Sequence, residues 1–75
     1  MAVAEIDLKG EVCPYTFVKT KLKLEELEIG DELVALYDHA PAVENVPRSL
    51  RNEGHKILGI KEIGDHLWQV RIQKV

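Results

Sequence analysis

The hydrophobic pattern of the chain changes period several times. Ala4-Glu5-Ile6-Asp7-Leu8-Lys9 alternates apolar and polar residues, which predicts a half-buried strand, and Gly10 punctuates it. From Pro14 to Glu28 the period becomes helical. Phe17, Thr20, Leu24 and Leu27 share one stripe, and Val18 and Leu22 form a second, shorter one to its side. Gly30 is the expected stop of that helix. Asp31 to Asp38 predicts a second strand, apolar on both faces through Leu33–Tyr37, as a central strand would be. Val43, Val46 and Leu50 then recur at helical offsets. Proline is costly inside a helix and cheap in its first turn, so Pro47 points to a start near Asn45, with Asn45 as N-cap and Pro47 at N2. Gly54 ends this second helix. His55–Ile63 and His66–Gln73 read as two strands joined in a hairpin at Gly64-Asp65, with Trp68, Val70 and Ile72 pointing inward.

The predicted order is β-α-β-α-β-β. Helical connections favour parallel crossovers, and the closing hairpin turns the last strand antiparallel. Two helices cover one sheet face, so the expected fold is an α/β two-layer sandwich: a four-stranded mixed sheet with both helices on one side. The start of the first helix, Asp38-His39 and the Gly64-Asp65 hairpin then gather at one sheet edge, the edge where open α/β sheets place their chemistry.

Size and composition narrow the picture further. Residues 1–75, 8.5 kDa, suffice for a single domain. Apolar residues at 45% and charged residues at 31% indicate an ordinary globular domain. Ten basic residues against thirteen acidic give a net charge of −3, which argues against direct nucleic-acid binding. The longest apolar run, Leu33–Tyr37, is far too short to cross a membrane, and the first residues lack the pattern of a signal peptide. The expected location is the cytoplasm.

The one residue that brings distinctive chemistry is Cys13, which is also the only cysteine and so excludes an internal disulfide. It lies at the first strand-to-helix junction, followed by Pro14, a residue favoured at the first helical position. Cys13 is therefore expected as N-cap, its sulfur facing free backbone N–H groups and the positive end of the helix dipole. Both favour the reactive thiolate. The alternative from position alone is a small buried hydrophobe.

The segment Gly10-Glu11-Val12-Cys13-Pro14-Tyr15-Thr16, with Lys19-Thr20 and Leu24-Glu25-Glu26-Leu27 after it, resembles the TusA/SirA/YedF sulfur-carrier family. Gly30-Asp31, Asp38, Val46-Pro47-Arg48 and Gly54-His55 extend the resemblance over essentially the whole chain. It implies the same β-α-β-α-β-β sandwich. It also implies a sulfurtransferase-type carrier that takes sulfane sulfur as a persulfide on Cys13 from a donor, a cysteine desulfurase or a rhodanese, and relays it to an acceptor protein. Routes in the family lead to tRNA thiolation and sulfur oxidation, less clearly to selenium metabolism. No metal or organic cofactor is implied, because the cargo is the sulfur itself. The sequence departs from the family's Cys-Pro-x-Pro motif at Thr16, which has the backbone N–H that a proline lacks. As N3, Thr16 is expected to offer that N–H to the sulfur, whereas the carboxylate of Glu11 opposes thiolate formation.

Other residues are weighed against plainer roles. His39, at the same edge, is a candidate base for the thiol, or an exposed loop residue. His66 is a weaker candidate, and His55 belongs to the opposite edge. Lys19 and Arg48 are candidate docking cations for an acidic partner or a phosphate, or members of a solvated face. Tyr15 is either a docking aromatic or a cover for the core edge. One cysteine and scattered histidines have no zinc-ligand spacing. A regulatory or interaction module, with Cys13 as redox sensor or structural residue, is the competing function, because a fold does not dictate a function.

Overall fold

The computed structural model describes residues 2–12 and 15–75. The elements run β1 (Val3–Asp7), α1 (Tyr15–Glu25), β2 (Glu32–Tyr37), α2 (Ala40–Asn52), β3 (Lys56–Gly64) and β4 (Leu67–Gln73). The sheet order is β1-β2-β4-β3, with β1 parallel to β2 and β4 antiparallel to both of its neighbours. This is the expected α/β sandwich with a mixed four-stranded sheet.

Alternation sorts the strand residues between the faces. Leu33, Ala35 and Tyr37 of β2 and Val70 and Ile72 of β4 pack with Leu8 beyond β1, Leu24 of α1, and Ala42, Val46 and Leu50 of α2. Ala4 and Ile6 of β1, Phe17 and Leu27 flank this core. The opposite sheet face carries an open groove lined by Glu5, Val34, Leu36, Ile63 and Gln69. The first predicted stripe of α1 is thus the one that faces the sheet.

Three boundaries differ from the sequence expectation. First, α1 ends at Glu25 rather than at Glu28. Glu26 and Leu27 donate to carbonyls three residues back, and the Asp31 carboxylate takes the Glu28 N–H at 3.0 Å, so the helical ladder is replaced before it reaches Gly30. Second, α2 begins at Ala40, not near Asn45, and His39 rather than Asn45 is its N-cap. Pro41 occupies the first turn, where proline is cheap, while Pro47 lies inside the helix. Pro47 is fully buried, and its packing offsets the backbone bond it cannot make. Third, the hairpin turn is Asp65-His66 rather than Gly64-Asp65, with His66 in the left-handed region at φ 51°. Register shifts at Ile57/Gly59 and Glu62/Gly64 place irregularities in β3 and move the turn along the chain.

The C-terminal stop of α2 is as expected. Gly54 has φ 96°, its N–H bonds the Arg51 carbonyl at 3.0 Å, and the His55 N–H returns to Leu50 at 3.0 Å. This pair of bonds forms a Schellman motif.

Candidate functional site

The C-terminal ends of β1 and β2 frame the approach to α1. Leu8 N–H donates to the Leu36 carbonyl at 2.9 Å, prolonging the strand pairing by one residue. The chain then turns sharply. Lys9 N–H reaches the Asp7 carboxylate at 3.0 Å, Glu11 N–H returns to Leu8 at 3.1 Å, and Gly10 takes φ 88°. Positive φ is the conformation glycine adopts without strain. The Gly10 N–H points at the Asp38 carboxylate, 3.0 and 3.1 Å from its two oxygens. Asp38 therefore ties the loop ahead of α1 to the end of β2.

On the helix side, the Val12 carbonyl accepts from Tyr15 N–H at 2.8 Å and Thr16 N–H at 3.3 Å. The expectations placed on Cys13 and Pro14 lie outside the described residues. The Thr16 N–H meets the Val12 carbonyl, closing the first helical turn, and the contact with the sulfur expected of it lies outside the described residues as well. Its side chain is fully buried. One turn on, the Thr20 hydroxyl donates to the Thr16 carbonyl at 2.7 Å and stands 2.6 Å from the Tyr37 hydroxyl. A hydroxyl carries one hydrogen, so with Thr20 donating to Thr16, Tyr37 supplies the hydrogen of the second bond. This buried polar chain pins the start of α1 to the end of β2.

The electrostatics differ from the sequence expectation as well. Lys19 pairs with Glu11 at 2.8 Å, so the carboxylate expected to oppose a thiolate has a cation beside it. Arg48 pairs with Glu44 at 3.6 Å on α2. Neither expected docking cation is bare. The first turn of α1 holds no acidic residue, which leaves the positive end of its dipole uncancelled from within the helix.

Tyr15 is exposed, which favours the docking role over the cover role. His39 is half-buried, and its side chain makes no capping hydrogen bond. His66 stacks edge-on against Trp68, with ring centroids 6.1 Å apart. His55 begins β3's approach at the far edge, and its buried Nδ1 has no hydrogen-bond partner among the described residues.

Two supporting roles are absent from the sequence reading. Asp38 belongs to the expected edge and to the family pattern, but its hold on the Gly10 N–H is new. Tyr37 was counted among apolar core residues, yet its hydroxyl is part of the network. The signal for Tyr37 was Thr20 on an apolar stripe, since a buried hydroxyl needs a partner.

Comparisons with known proteins agree with this architecture. A family model described as "Sulfurtransferase TusA" matches residues 4–74. An Archaeoglobus fulgidus protein named "Putative sulfur carrier protein" is 49% identical over 69 residues, spanning 92% of this chain and 78% of its own. The Escherichia coli "Putative sulfur carrier protein TsuB" is 36% identical over 74 residues, 99% of both chains. Among solved structures, a SirA-like protein from Desulfitobacterium hafniense superposes with a TM-score of 0.83 at 27% identity, covering 93% of this chain and 95% of the other. A match along nearly the entire length, on the same sandwich, shows that this chain belongs to the sulfurtransferase TusA family.

Proposed function

We propose that the protein carries sulfane sulfur as a persulfide on Cys13, between a donor protein and an acceptor protein. The observation that supports this reading most is the family match over residues 4–74, which includes Cys13. The surroundings suit the chemistry. Cys13 precedes by two residues a helix whose first turn is free of carboxylates, and the nearest acidic residue before it, Glu11, is paired with Lys19. Both conditions favour a thiolate.

The transfer balances without an oxidant. The Cys13 thiolate attacks the outer sulfur of a donor persulfide. A new S–S bond forms on Cys13, the donor's S–S bond breaks, and the donor departs as a thiolate that takes up the proton Cys13 released. Delivery to the acceptor repeats the exchange in the other direction. Thiol and cargo supply every reacting atom, so the step calls for no resident metal or organic cofactor. A cysteine desulfurase or a rhodanese is the proposed donor, and the acceptor is a protein of a sulfur-using pathway such as tRNA thiolation or sulfur oxidation. The proposed location of the relay is the cytoplasm. No helix among the described residues is long and apolar enough to cross a membrane.

The test is intact-mass spectrometry without reductant, after incubation with a cysteine desulfurase plus cysteine and, separately, with a rhodanese plus thiosulfate. The expected result is gain of one sulfur atom, reversed by reductant and absent in Cys13→Ala. A protein that takes up no sulfur and whose Cys13 resists alkylation would sink the carrier reading in favour of an interaction module.

A further inference from the structure

Helix α1 is apolar on two opposite sides. Thr16, Thr20 and Leu24 face the core. On the other side, Tyr15, Val18 and Leu22, at offsets of three and four residues, are 61%, 44% and 55% exposed. At about 100° per residue they share one outward stripe. Val12, in the loop before Cys13, is exposed as well. A soluble helix normally turns charge outward here, and isolated exposed apolar residues need no explanation. Three of them along one helix face, with a fourth exposed just ahead of Cys13 in the chain, do.

Ion-paired lysines flank the stripe, and carboxylates gather at its far end. Its flanking cations are held, Lys19 by Glu11 and Lys21 by Glu53, and Lys23 lies about 100° round the helix from Leu22. Exposed Glu25 and Glu26 follow Leu22, with Glu28 just beyond; none of the three carboxylates has an ion pair among the described residues, the Lys74 ammonium at this end donating instead to the Leu27 carbonyl at 2.6 Å. The face therefore runs from an apolar end near Cys13 to an anionic end about 15 Å away along the helix axis.

We infer that this stripe is the docking surface for the protein that delivers sulfur to Cys13, and that this donor presents an apolar ridge ending in lysines or arginines. The inference rests on the carrier reading above. Four side chains fall well short of the roughly 800 Å² per partner of a stable interface. The surface suits a brief encounter, which a carrier needs in order to leave with its cargo, and not a permanent second copy of this chain. Unpaired carboxylates at its far end select a cationic partner and speed the encounter at low salt.

The experiment compares two ways of loading Cys13. One uses a purified desulfurase with cysteine, or a rhodanese with thiosulfate; the other uses inorganic polysulfide, which needs no docking surface. The variants are Val18→Gln with Leu22→Gln, which preserves helix propensity, and Glu25→Lys with Glu26→Lys. Helicity is checked by circular dichroism. For the glutamine variant, the ratio of protein-donor rate to polysulfide rate should fall at least tenfold. Wild-type loading from the protein donor should slow as salt rises, and the lysine variant should lose that dependence. An unchanged ratio in both variants, with normal wild-type loading, overturns the docking surface and leaves the carrier reading standing. Wild-type protein that loads from neither source overturns both. Self-association through the stripe, seen by sedimentation and abolished by the glutamine variant, would overturn the choice of partner.

Discussion

The two helices lie on the same sheet face and solve different problems. α2 is conventional: Ala42, Val46, Pro47 and Leu50 are buried, and its stop is built from main-chain bonds around Gly54. α1 meets the sheet partly through hydroxyl groups, Thr16, Thr20 and Tyr37, and is stopped by a side chain, Asp31. It also shows apolar residues to solvent. The difference teaches that α2 holds the sandwich together, while α1 is positioned by the sandwich so that its start and its outer face remain available.

The largest expected effect separates the helices by burial. Leu50→Ala should cost about 2–5 kcal/mol in urea unfolding, because a fully buried leucine leaves a cavity. Leu22→Ala on α1 should stay within about 0.5 kcal/mol, as exposed substitutions do. Equal losses at the two sites would break the comparison.

Much of this contrast was legible in the sequence, and the illegible part has physical causes. The strand alternation at Ala4–Lys9 and the Phe17-Thr20-Leu24-Leu27 stripe mark surfaces that must be buried, and such patterns survive any detail of packing. Gly54 was readable because the left-handed stop it makes is local. Pro47 misled, since a rule about isolated helices is overridden when a proline is fully packed in a core. The end of α1 was hidden because Asp31 acts from beyond the helix. The Gly10–Asp38 contact joins residues 28 positions apart, a separation no local pattern reports. The Thr16 N–H closes the first helical turn on Val12, a bond that the motif by itself does not report.

A second, smaller effect tests how α1 is attached. Tyr37→Phe removes the hydroxyl that meets Thr20 and should destabilise the protein by roughly 1–2 kcal/mol. In a double-mutant cycle, adding Thr20→Val should cost less than it does alone. Strict additivity would mean the hydroxyl pair does not couple α1 to β2.

The smallest effects concern the two helix stops, and they differ in pH dependence. At Gly54 an added Cβ meets no atom within 4 Å, so Gly54→Ala should cost only the left-handed penalty, about 1 kcal/mol, at every pH. The Asp31 carboxyl is held below its ordinary value of 3.8, first by the Ala2 N–H and then by that of Glu28, with Lys74 adding to the effect. A carboxyl with a depressed folded value stabilises above its ordinary value, and that stabilisation fades as pH falls through the folded one. The gap between wild type and Asp31→Asn should therefore be constant near neutrality and close below pH 3.8, as measured by urea unfolding across a pH series. A gap that stays open in acid would show that the carboxylate's charge contributes nothing to the stop.

Asp31 has one more effect. Its side chain takes the Ala2 N–H, and its own carbonyl takes the Lys74 N–H at 2.9 Å, while the Lys74 carbonyl accepts from Gly30 at 2.8 Å. Residues 2 and 74 are thus fastened to the same short turn between α1 and β2. They meet at the N-terminal ends of β1 and β2, across the sheet from the loop that leads to Cys13. The first strand and the last are therefore clasped by one turn, opposite the loop ahead of α1. A chain bridged between residues 2 and 74 and reopened at Asp65-His66 should keep every strand pairing, which circular dichroism would check.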